Sequence, residues 1–374
     1  MTAAGWALLG AYAVLTVLRL VLAARAWRPP APAGEPDVTL LQPILSGDPY
    51  LAEDLAANLA THPSARFRWL VDEADAEGVR VATRLASAHP GRVEVRTFGA
   101  APATSNPKVF KLARAIDPTD DLVALLDDDT VLPPGTLSRA CAALADGDLV
   151  TGLPYYKEAR GGWARLVAGF VNGSALVTYL PLLAAGPPVS VNGMFVLTTR
   201  GALERAGGLG AIEGFVCDDY ELALAYRRTG QRLVQAALPV WVRTTVADAA
   251  SYGRLMRRWM VFAGRLVRDE VGPAMLGLVL VPAVLPALAL LTGVLAASWP
   301  LVAGVVVALL GKAAAMAALR HRLLGATEDA AAIAAEVLAD LLQPVHAAAA
   351  LASGGRIIWR GRPMRLDAEG RVRP

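Results

Sequence analysis

The sequence has few of the residues that build disulfide frameworks and zinc sites. It contains two cysteines, Cys141 and Cys217, and four histidines that occur singly at 62, 89, 321 and 346. Two cysteines are too few for a disulfide framework, and no Cys/His spacing typical of zinc is present. A metal in this protein would therefore use oxygen ligands.

Charged residues are also scarce, at 18% of the chain, whereas hydrophobic residues make up 55%. This balance is more apolar than that of an ordinary soluble domain, so part of the chain is expected to lie in lipid. The net charge of +3 does not indicate nucleic-acid binding, because many basic residues flank apolar runs and form no patch interleaved with aromatic residues. Such flanks are typical of the cytoplasmic side of a membrane.

The N-terminal run "GWALLGAYAVLTVLRLVLAARAW" is apolar over about the length of one membrane span. A signal peptide is the alternative, but the basic segment expected before its apolar run is missing and positive residues follow the run instead. We therefore predict a retained transmembrane anchor over residues 1–27, with the N-terminus outside. Residues 28–36 are rich in proline and predict a linker.

Residues 269–355 are predicted to form a C-terminal membrane region of two or three helices. No charged residue occurs from Val271 to Gly311, which fits two spans joined near residues 298–300. The next helix-like stretch carries Glu336, Asp340 and His346, so it is predicted either to cross the membrane or to lie at its surface. Residues 356–374 are predicted to form a basic cytoplasmic tail.

Between these regions, residues 37–268 alternate short apolar strands with amphipathic helices. The strands "DVTLLQPIL", "RFRWLVD", "RVEVRTF" and "DLVALLD" are separated by the helices "YLAEDLAANLA", "GVRVATRLASA" and "PKVFKLARAI". This alternation predicts an α/β domain with a mostly parallel sheet. Ligands of such sheets bind beyond the carboxyl ends of the strands, where Asp72 and Asp127 are expected to face one crevice.

The stretch "LLDDDTVLPPG" places three aspartates directly after a predicted strand. On a turn leaving the strand, Asp127 and Asp129 can both reach one divalent cation while Asp128 points elsewhere. Mg²⁺ and Mn²⁺ prefer such hard oxygen ligands, completed by water and substrate phosphates. A solvated turn or a helix cap would use the same residue type, so this interpretation stays open beside the metal site.

Two later stretches add charged groups to the predicted domain. In "VCDDYELALAYRRTG", Asp218 and Asp219 open an amphipathic helix, where acidic residues are also common for dipole reasons. In "RLMRRWMVFAGR", arginines and a tryptophan lie on a predicted helix near the membrane entry. These arginines suit either lipid headgroups or a diphosphate.

Taken together and in this order, these acidic motifs and the Arg258-Trp259 pair resemble those of membrane-bound inverting glycosyltransferases of the GT-A fold. Within them, the chain is most similar to the ceramide glucosyltransferase-like group, which includes hopanoid-associated relatives. Further stretches support the resemblance: "LLQPILSGDP", "SNPKVFKL", "GLPYY", "AGGLGAI" and "IIWRGRPMRL". The implied fold is α/β, a GT-A nucleotide-sugar transferase domain with N-terminal and C-terminal transmembrane helices.

The resemblance implies a role for each matching residue. Asp72 would meet the uridine of a UDP-sugar, Asp127 and Asp129 would hold the ribose and an Mg²⁺ or Mn²⁺ ion, and Asp219 would be the general base. Charge on the leaving UDP would be stabilised by the cation with Arg258 and Lys108. The remaining substrate-binding residues of the matching motifs are Asp218 and Trp259.

The implied reaction is one displacement at the anomeric carbon, so an α-linked donor should yield a β-glycoside. The implied acceptor is a lipid such as ceramide or a hopanoid, because the domain lies between membrane segments. An apolar face at helical spacing, formed by Trp163, Leu166, Val167, Phe170 and Val171, is expected either to admit this lipid or to face a core. The alanine- and arginine-rich composition favours a bacterial plasma membrane, with the catalytic domain in the cytoplasm.

Two positions depart from the family pattern. Leu255 stands where the family usually has Gln or Arg, and Gln42-Pro43 stands where Lys-Pro is common. These departures concern the acceptor and whether transfer is single or processive. A processive polysaccharide synthase is the nearest alternative, and the "DDDTVL" motif also fits a haloacid dehalogenase-like phosphatase. A membrane scaffold that has kept a transferase-like domain is the non-enzymatic alternative.

Overall fold

The computed structural model describes residues 2–34, 37–359, 362–367 and 369–373. The chain divides into two units. The helical unit comprises Met1–Trp27, Glu158–Gly186 and Val246–Trp359, and the α/β unit comprises Arg28–Lys157, Pro187–Thr245 and Arg360–Pro374. Residues 35 and 36 of the predicted linker, and 360, 361, 368 and 374 of the predicted tail, lie outside the described residues.

The α/β unit alternates strands and helices. Its strands are β1 (Thr39–Ile44), β2 (Arg66–Asp72), β3 (Val93–Phe98), β4 (Leu122–Leu126), β5 (Thr130–Val131), β6 (Leu149–Tyr156), β7 (Phe195–Thr199), β8 (Leu233–Val242), β10 (Arg362–Leu366) and β11 (Val372–Arg373). Its helices are α2 (Leu51–Thr61), α3 (Ala76–Ser87), α4 (Pro107–Ala113), α5 (Thr136–Ala143), α8 (Arg200–Arg205) and α9 (Asp218–Arg228). The four strands and three helices predicted between residues 37 and 127 are confirmed.

Eight of these strands form one twisted sheet in the order β3-β2-β1-β4-β7-β6-β8-β5. The β3, β2, β1 and β4 strands are all parallel, whereas β7 runs antiparallel to both β4 and β6. Because the first four strands share one direction, Asp72 at the end of β2 and Asp127 just after β4 lie at the same edge of the sheet.

Alternate residues of the strands pack into two apolar layers, one on each face of the sheet. In β1, Leu40 belongs to the layer that contains Trp69 and Leu55, whereas Leu41 belongs to the opposite layer with Leu112. All five side chains are buried. This period-two alternation places helices on both faces and leaves the carboxyl ends of the strands for polar side chains.

The helical unit contains α1 (Thr2–Ala26), α6 (Gly162–Asn172), α7 (Ala175–Leu182), α10 (Ala249–Glu270), α11 (Pro273–Met275), α12 (Val281–Leu295), α13 (Trp299–Leu324), α14 (Ala330–Ala352) and β9 (Arg356–Trp359). A π-helical segment, Leu276–Leu280, joins α11 to α12. Such a segment is consistent with the three prolines in this stretch, each of which removes a backbone donor.

Four helices of the described residues are long and apolar enough to cross a membrane, judged by length and composition: Thr2–Ala26, Pro273–Leu295, Trp299–Leu324 and Ala330–Ala352. The first three agree with the predicted N-terminal anchor and the predicted pair of C-terminal spans. The last is the stretch whose placement the sequence left open, and its mean hydropathy of 1.2 is the lowest of the four.

The apolar face predicted on the 162–183 segment is largely inside the helical unit. Leu166, Val167 and Val171 of α6 are buried, and the backbone of α6 comes close to that of α14. Trp163 is 39% exposed, and its ring centroid lies 5.5 Å from that of Tyr252 in α10, with the two ring planes tilted by 35°. Most of this face therefore packs against protein, as the alternative interpretation expected.

Candidate active site at the carboxyl ends of the strands

One short helix, α4, brings together two of the acids that the sequence predicted for the site. Lys108 Nζ lies 2.7 Å from Asp127 Oδ1. Lys111, one turn later, is fully buried and lies 3.2 Å from Asp72 Oδ2. Acids at the ends of β2 and β4 are thus each paired with a lysine of the same helix.

The position of α4 is fixed by Asn106, which caps it. The Asn106 side chain accepts hydrogen bonds from the backbone N–H groups of Lys108 and Val109. Its Nδ2 group donates to the carbonyl oxygens of Phe215 and Val216, at 3.1 and 3.4 Å. This buried amide therefore ties the lysine-bearing helix to the segment that leads into the Asp218-Asp219 pair.

Lys108 also joins the two acidic motifs. Its Nζ lies 3.2 Å from Asp218 Oδ2, in addition to its contact with Asp127, and donates to the carbonyl oxygen of Gly193 at 3.2 Å. Burial alone would lower the pKa of Lys108, but the two carboxylates outweigh it and raise the pKa above its usual range. The side chain is therefore a permanent cation between Asp127 and Asp218.

The aspartate triplet forms a turn in which the three side chains have different surroundings. The turn is closed by a hydrogen bond from Thr130 N to Asp127 O at 3.2 Å. The carboxylate of Asp128 accepts from Leu45 N at 2.7 Å, whereas that of Asp129 accepts from the Thr130 hydroxyl at 3.2 Å. Asp128 is thus engaged with the end of β1, as expected for the acid that points elsewhere.

Negative charge accumulates at this turn. Burial raises the pKa of Asp129 well above its usual range, and the charges of Asp127 and Asp128 raise it further. A bound cation would relieve this repulsion. Among the described residues no group of three or more His, Cys, Asp or Glu has the arrangement of a metal site. The two carboxylates of Asp127 and Asp129 still suit a hard cation that takes its other oxygens from water and substrate phosphates.

Asp219 is held rigidly at the start of α9. Its Oδ1 accepts hydrogen bonds from Cys217 Sγ at 3.0 Å and from Tyr220 N at 2.7 Å. A Cβ added to Gly193 would lie 3.0 Å from the Asp219 Cβ, so a glycine at this position allows the close approach. Asp218 and Asp219, Lys108 and Gly193 line one small cleft.

Burial and the charge of Asp218 raise the pKa of Asp219, although its hydrogen bonds and Lys108 oppose this rise. Burial, followed by the charge of Asp219, raises the pKa of Cys217 well above its usual range. The thiol therefore keeps its proton and donates a hydrogen bond to the Asp219 carboxylate. A carboxylate with a raised pKa in a cleft is suited to accept a proton.

The structure also contains polar residues of the site that the sequence reasoning missed or used differently. Gln42, noted there only as a departure from Lys-Pro, is buried, accepts from Trp69 Nε1 at 2.9 Å and donates to the Asp127 carbonyl oxygen at 3.4 Å. Gln42 therefore links Trp69 of β2 to the aspartate turn. No sequence signal distinguished Cys217, Lys111 or Gly193 as partners of the acids, because each acts through a contact that only the fold creates.

Arg258 and Trp259 lie on α10 of the helical unit, where the Trp259 ring centroid is 6.0 Å from that of Phe170. The six predicted site residues Asp72, Lys108, Asp127, Asp129, Asp218 and Asp219 belong to the α/β unit. A role for Arg258 and Trp259 in the same site stays a prediction.

Comparison with known proteins identifies the family. Residues 5–372 match the model of glycosyl transferase family 21, so the chain belongs to that family. Ceramide glucosyltransferase 1 of Caenorhabditis elegans is 24% identical over 230 residues, which cover 60% of this chain and 49% of the relative. The matched region therefore spans about half the length of that curated relative.

Two solved structures are similar. The mannosyltransferase PcManGT from Pyrobaculum calidifontis, in complex with GDP-Man and Mn²⁺, gives a TM-score of 0.53 at 19% identity and covers 94% of this chain and 98% of that chain. TarS of S. aureus, in complex with UDP-GlcNAc, gives a TM-score of 0.39 at 12% identity over 90% of this chain and 98% of that chain. With the mixed eight-stranded sheet and the apolar helices, the first likeness confirms the predicted GT-A fold with N-terminal and C-terminal membrane helices.

Proposed function

We propose that the protein is an inverting glycosyltransferase that moves a sugar from a UDP-sugar to a hydroxyl of a membrane lipid. The single observation that carries this proposal is the Lys108 cluster, in which one mostly buried ammonium joins Asp127, just after β4, to Asp218 beside Asp219. This contact supports a nucleotide-sugar site and a general base at one edge of the sheet. Membership of family 21 and the relative named ceramide glucosyltransferase support the same assignment.

The donor would bind with its diphosphate at the carboxyl ends of the strands. Several carboxylates crowd this edge, and they would repel an anionic diphosphate. A divalent cation held by Asp127 and Asp129 would turn the repulsion into attraction and stabilise the negative charge of the departing UDP. Lys108, already a fixed cation beside Asp127, would contact the same diphosphate, and Asp72 would meet the uridine. The similar structure that contains GDP-Man and Mn²⁺ supports a metal-assisted donor site.

Asp219 would act as the general base. Because Cys217 and the Tyr220 N–H both donate to Oδ1, we assign the acceptor's proton to Oδ2. As the acceptor oxygen forms its bond to the anomeric carbon, its proton passes to Oδ2, and the bond between that carbon and the UDP oxygen breaks with its electron pair leaving on UDP. One displacement inverts the configuration. A positioned base of this kind typically contributes about 10² to 10⁴-fold.

The acceptor is proposed to be a lipid such as ceramide or a hopanoid because the chain combines this site with helices apolar enough to cross a membrane. Arg25 in the last turn of the first of these helices and Arg28 just after it support an orientation with the α/β unit in the cytoplasm. The plasma membrane of a bacterium is the proposed location, on composition alone.

The test is release of UDP from a panel of UDP-sugars, and of GDP from GDP-mannose, by the detergent-solubilised protein in the presence of a total lipid extract. We expect release that depends on both lipid and Mn²⁺ or Mg²⁺ and is lost in Asp219→Asn. The glycolipid product can then be identified by mass spectrometry, and its anomeric configuration by NMR. Repeated sugar addition would indicate a processive synthase, and hydrolysis of a phosphomonoester without sugar transfer would indicate a phosphatase. Donor binding without turnover would indicate a scaffold.

A further inference from the structure

Of the four candidate spans, α14 has the lowest mean hydropathy. It packs against α6, α10 and α13. Residues near both of its ends contact residues that lie close in sequence to the α/β unit. We propose that α14 does not cross the membrane. It lies along the membrane surface on the side where the α/β unit lies, with its apolar face against the acyl chains of that leaflet. This inference goes beyond the proposed function and does not depend on it.

The first argument comes from the tail, which belongs to the α/β unit. Val372 N donates to Gly214 O at 3.0 Å, and Val216 N donates to Gly370 O at 3.4 Å. The Arg371 guanidinium lies 4.2 Å from the centroid of the Phe215 ring. These contacts fix residues 370–372 to the segment that precedes Asp218, so the tail is on the same side of the membrane as the site.

This attachment constrains the number of crossings. The chain leaves the α/β unit after Thr245 and belongs to it again in the tail. A segment that begins and ends on one side of a bilayer crosses it an even number of times. Three candidate spans lie in this segment, so one of them cannot cross. The mean hydropathies of Pro273–Leu295 and Trp299–Leu324 are 2.5 and 2.1, against 1.2 for Ala330–Ala352, which selects α14 as the exception.

The second argument comes from both ends of α14. At its start, Asp329 pairs with Arg165 of α6 at 3.3 Å. Towards its end, His346 Nε2 is 2.8 Å from the hydroxyl of Tyr252 in α10. Arg165 follows Lys157 of the α/β unit by eight residues, and Tyr252 follows Thr245 by seven.

So short a connection limits how far these two partners lie from the α/β unit. Seven or eight residues span at most about 25 to 29 Å when fully extended, and less here because α6 and α10 are helical where they begin. The hydrocarbon core of a bilayer is about 30 Å thick. Neither Asp329 nor His346 can therefore lie on the far side.

The third argument is the distribution of charge and apolar surface on α14. Glu336 and Asp340 lie on one face and pair with α13, where Lys312 Nζ is 2.9 Å from each of them. Arg320 of α13 pairs with Glu336 at 2.9 Å. Leu338 and Val345, which lie on the opposite face of the helix, are 46% and 60% exposed. The acids on one face are thus paired with basic residues of α13, and the other face presents aliphatic side chains. This is the pattern of a helix that lies in the membrane–water interface.

The test is cysteine labelling with a membrane-impermeant maleimide, in sealed vesicles of both orientations that contain the full chain. The reporters are Ser298→Cys between α12 and α13, Thr327→Cys between α13 and α14, and Ala352→Cys at the end of α14. We expect Thr327→Cys and Ala352→Cys to be labelled from one side and Ser298→Cys from the other. The unsubstituted chain measures labelling of Cys141 and Cys217.

Labelling of Ala352→Cys from the side of Ser298→Cys would show that α14 crosses, and would overturn the proposal. Labelling of all three from one side would show that α12 and α13 do not form the crossing pair, and would overturn it equally. Thr327 and Ala352 are exposed, and serine and cysteine have similar volumes, so these substitutions are expected to leave the fold intact. Unchanged UDP release in each variant confirms this independently of the topology.

Discussion

The hydrogen bond from Cys217 to Asp219 predicts a shift in the pH dependence of sugar transfer. The proposed general base, Asp219, must be ionised to accept a proton, so activity should fall as the pH drops through its pKa. In Cys217→Ala the Sγ donor, 3.0 Å from Asp219 Oδ1, is lost, while the Tyr220 N–H bond remains. The ionised form then loses stabilisation, its pKa rises, and the acidic limb of the pH profile moves to higher pH.

The size of this shift follows from the donor. A hydrogen bond to a charged group contributes about 1.5 to 3 kcal/mol, and a thiol is a weak donor, so about 1 kcal/mol is reasonable here. This corresponds to about 0.7 of a pH unit. The assay is kcat/KM for UDP release between pH 4 and 9, with metal and lipid saturating. Cys217→Ser keeps a donor and should stay near the unsubstituted profile.

Cys141→Ala is the matched control, because Cys141 lies on α5 and is not among the residues that contact the acidic cluster. Its profile should coincide with that of the unsubstituted protein. An acidic limb that stays in place in Cys217→Ala, or moves to lower pH, would refute the argument that the thiol stabilises the ionised base. A fall in kcat with no movement of the limb would assign Cys217 a packing role only.

The other predictions concern the cation, the metal and the helix packing. Lys108→Met leaves Asp127 and Asp218 without their shared cation, so we expect donor KM to rise at least tenfold and thermal stability to fall. Lys108→Arg keeps a positive charge and should lose less donor affinity and less stability. Unchanged donor binding in Lys108→Met would contradict this. Removal of divalent cations by EDTA should abolish UDP release, and added Mn²⁺ should restore it. In Asp129→Asn the Mn²⁺ concentration needed for half-maximal activity should rise. Activity without any metal would exclude the proposed ion. In Gly169→Ala the new Cβ would lie 2.8 Å from backbone atoms of Ala335 and Glu336, so unfolding should be easier by about 1 to 3 kcal/mol. Gly253→Ala, where nothing lies within 4 Å, is its control and should not lower the melting temperature.

Much of the α/β unit was predictable because its strands bury both faces and its helices bury one, which leaves periodic signals in the sequence. The shared edge for Asp72 and Asp127 followed from parallel strand direction alone. The lysine partners of these acids could not be predicted in this way, because the reach of the Lys108 and Lys111 side chains depends on where α4 crosses the sheet. Gln42 likewise looked like a departure from a motif, and only the fold shows that it holds Trp69 and the aspartate turn.

The helical unit shows the opposite case, in which a local signal was ambiguous. Hydropathy is summed along one helix, so α14, with its acids and its long apolar stretches, fits both a crossing and an interfacial placement. The proposed placement of α14 at the membrane surface depends on residues distant in sequence, namely the tail at 370–372 and the partners of Asp329 and His346. Information of that kind is present in no window of the sequence.

Lys108 of α4 offsets the repulsion between two acids of the candidate site. Asp127, just after β4, and Asp218, at the start of α9, both lie next to Lys108 Nζ, and without that cation their negative charges would repel each other. Lys108 supplies this cation within the chain, at 2.7 and 3.2 Å. An ion at Asp127 and Asp129 would share the same carboxylate, so metal binding should free the ammonium to contact the diphosphate. Lys108 would then stabilise the fold through these two acids and also contact the diphosphate in the proposed donor complex.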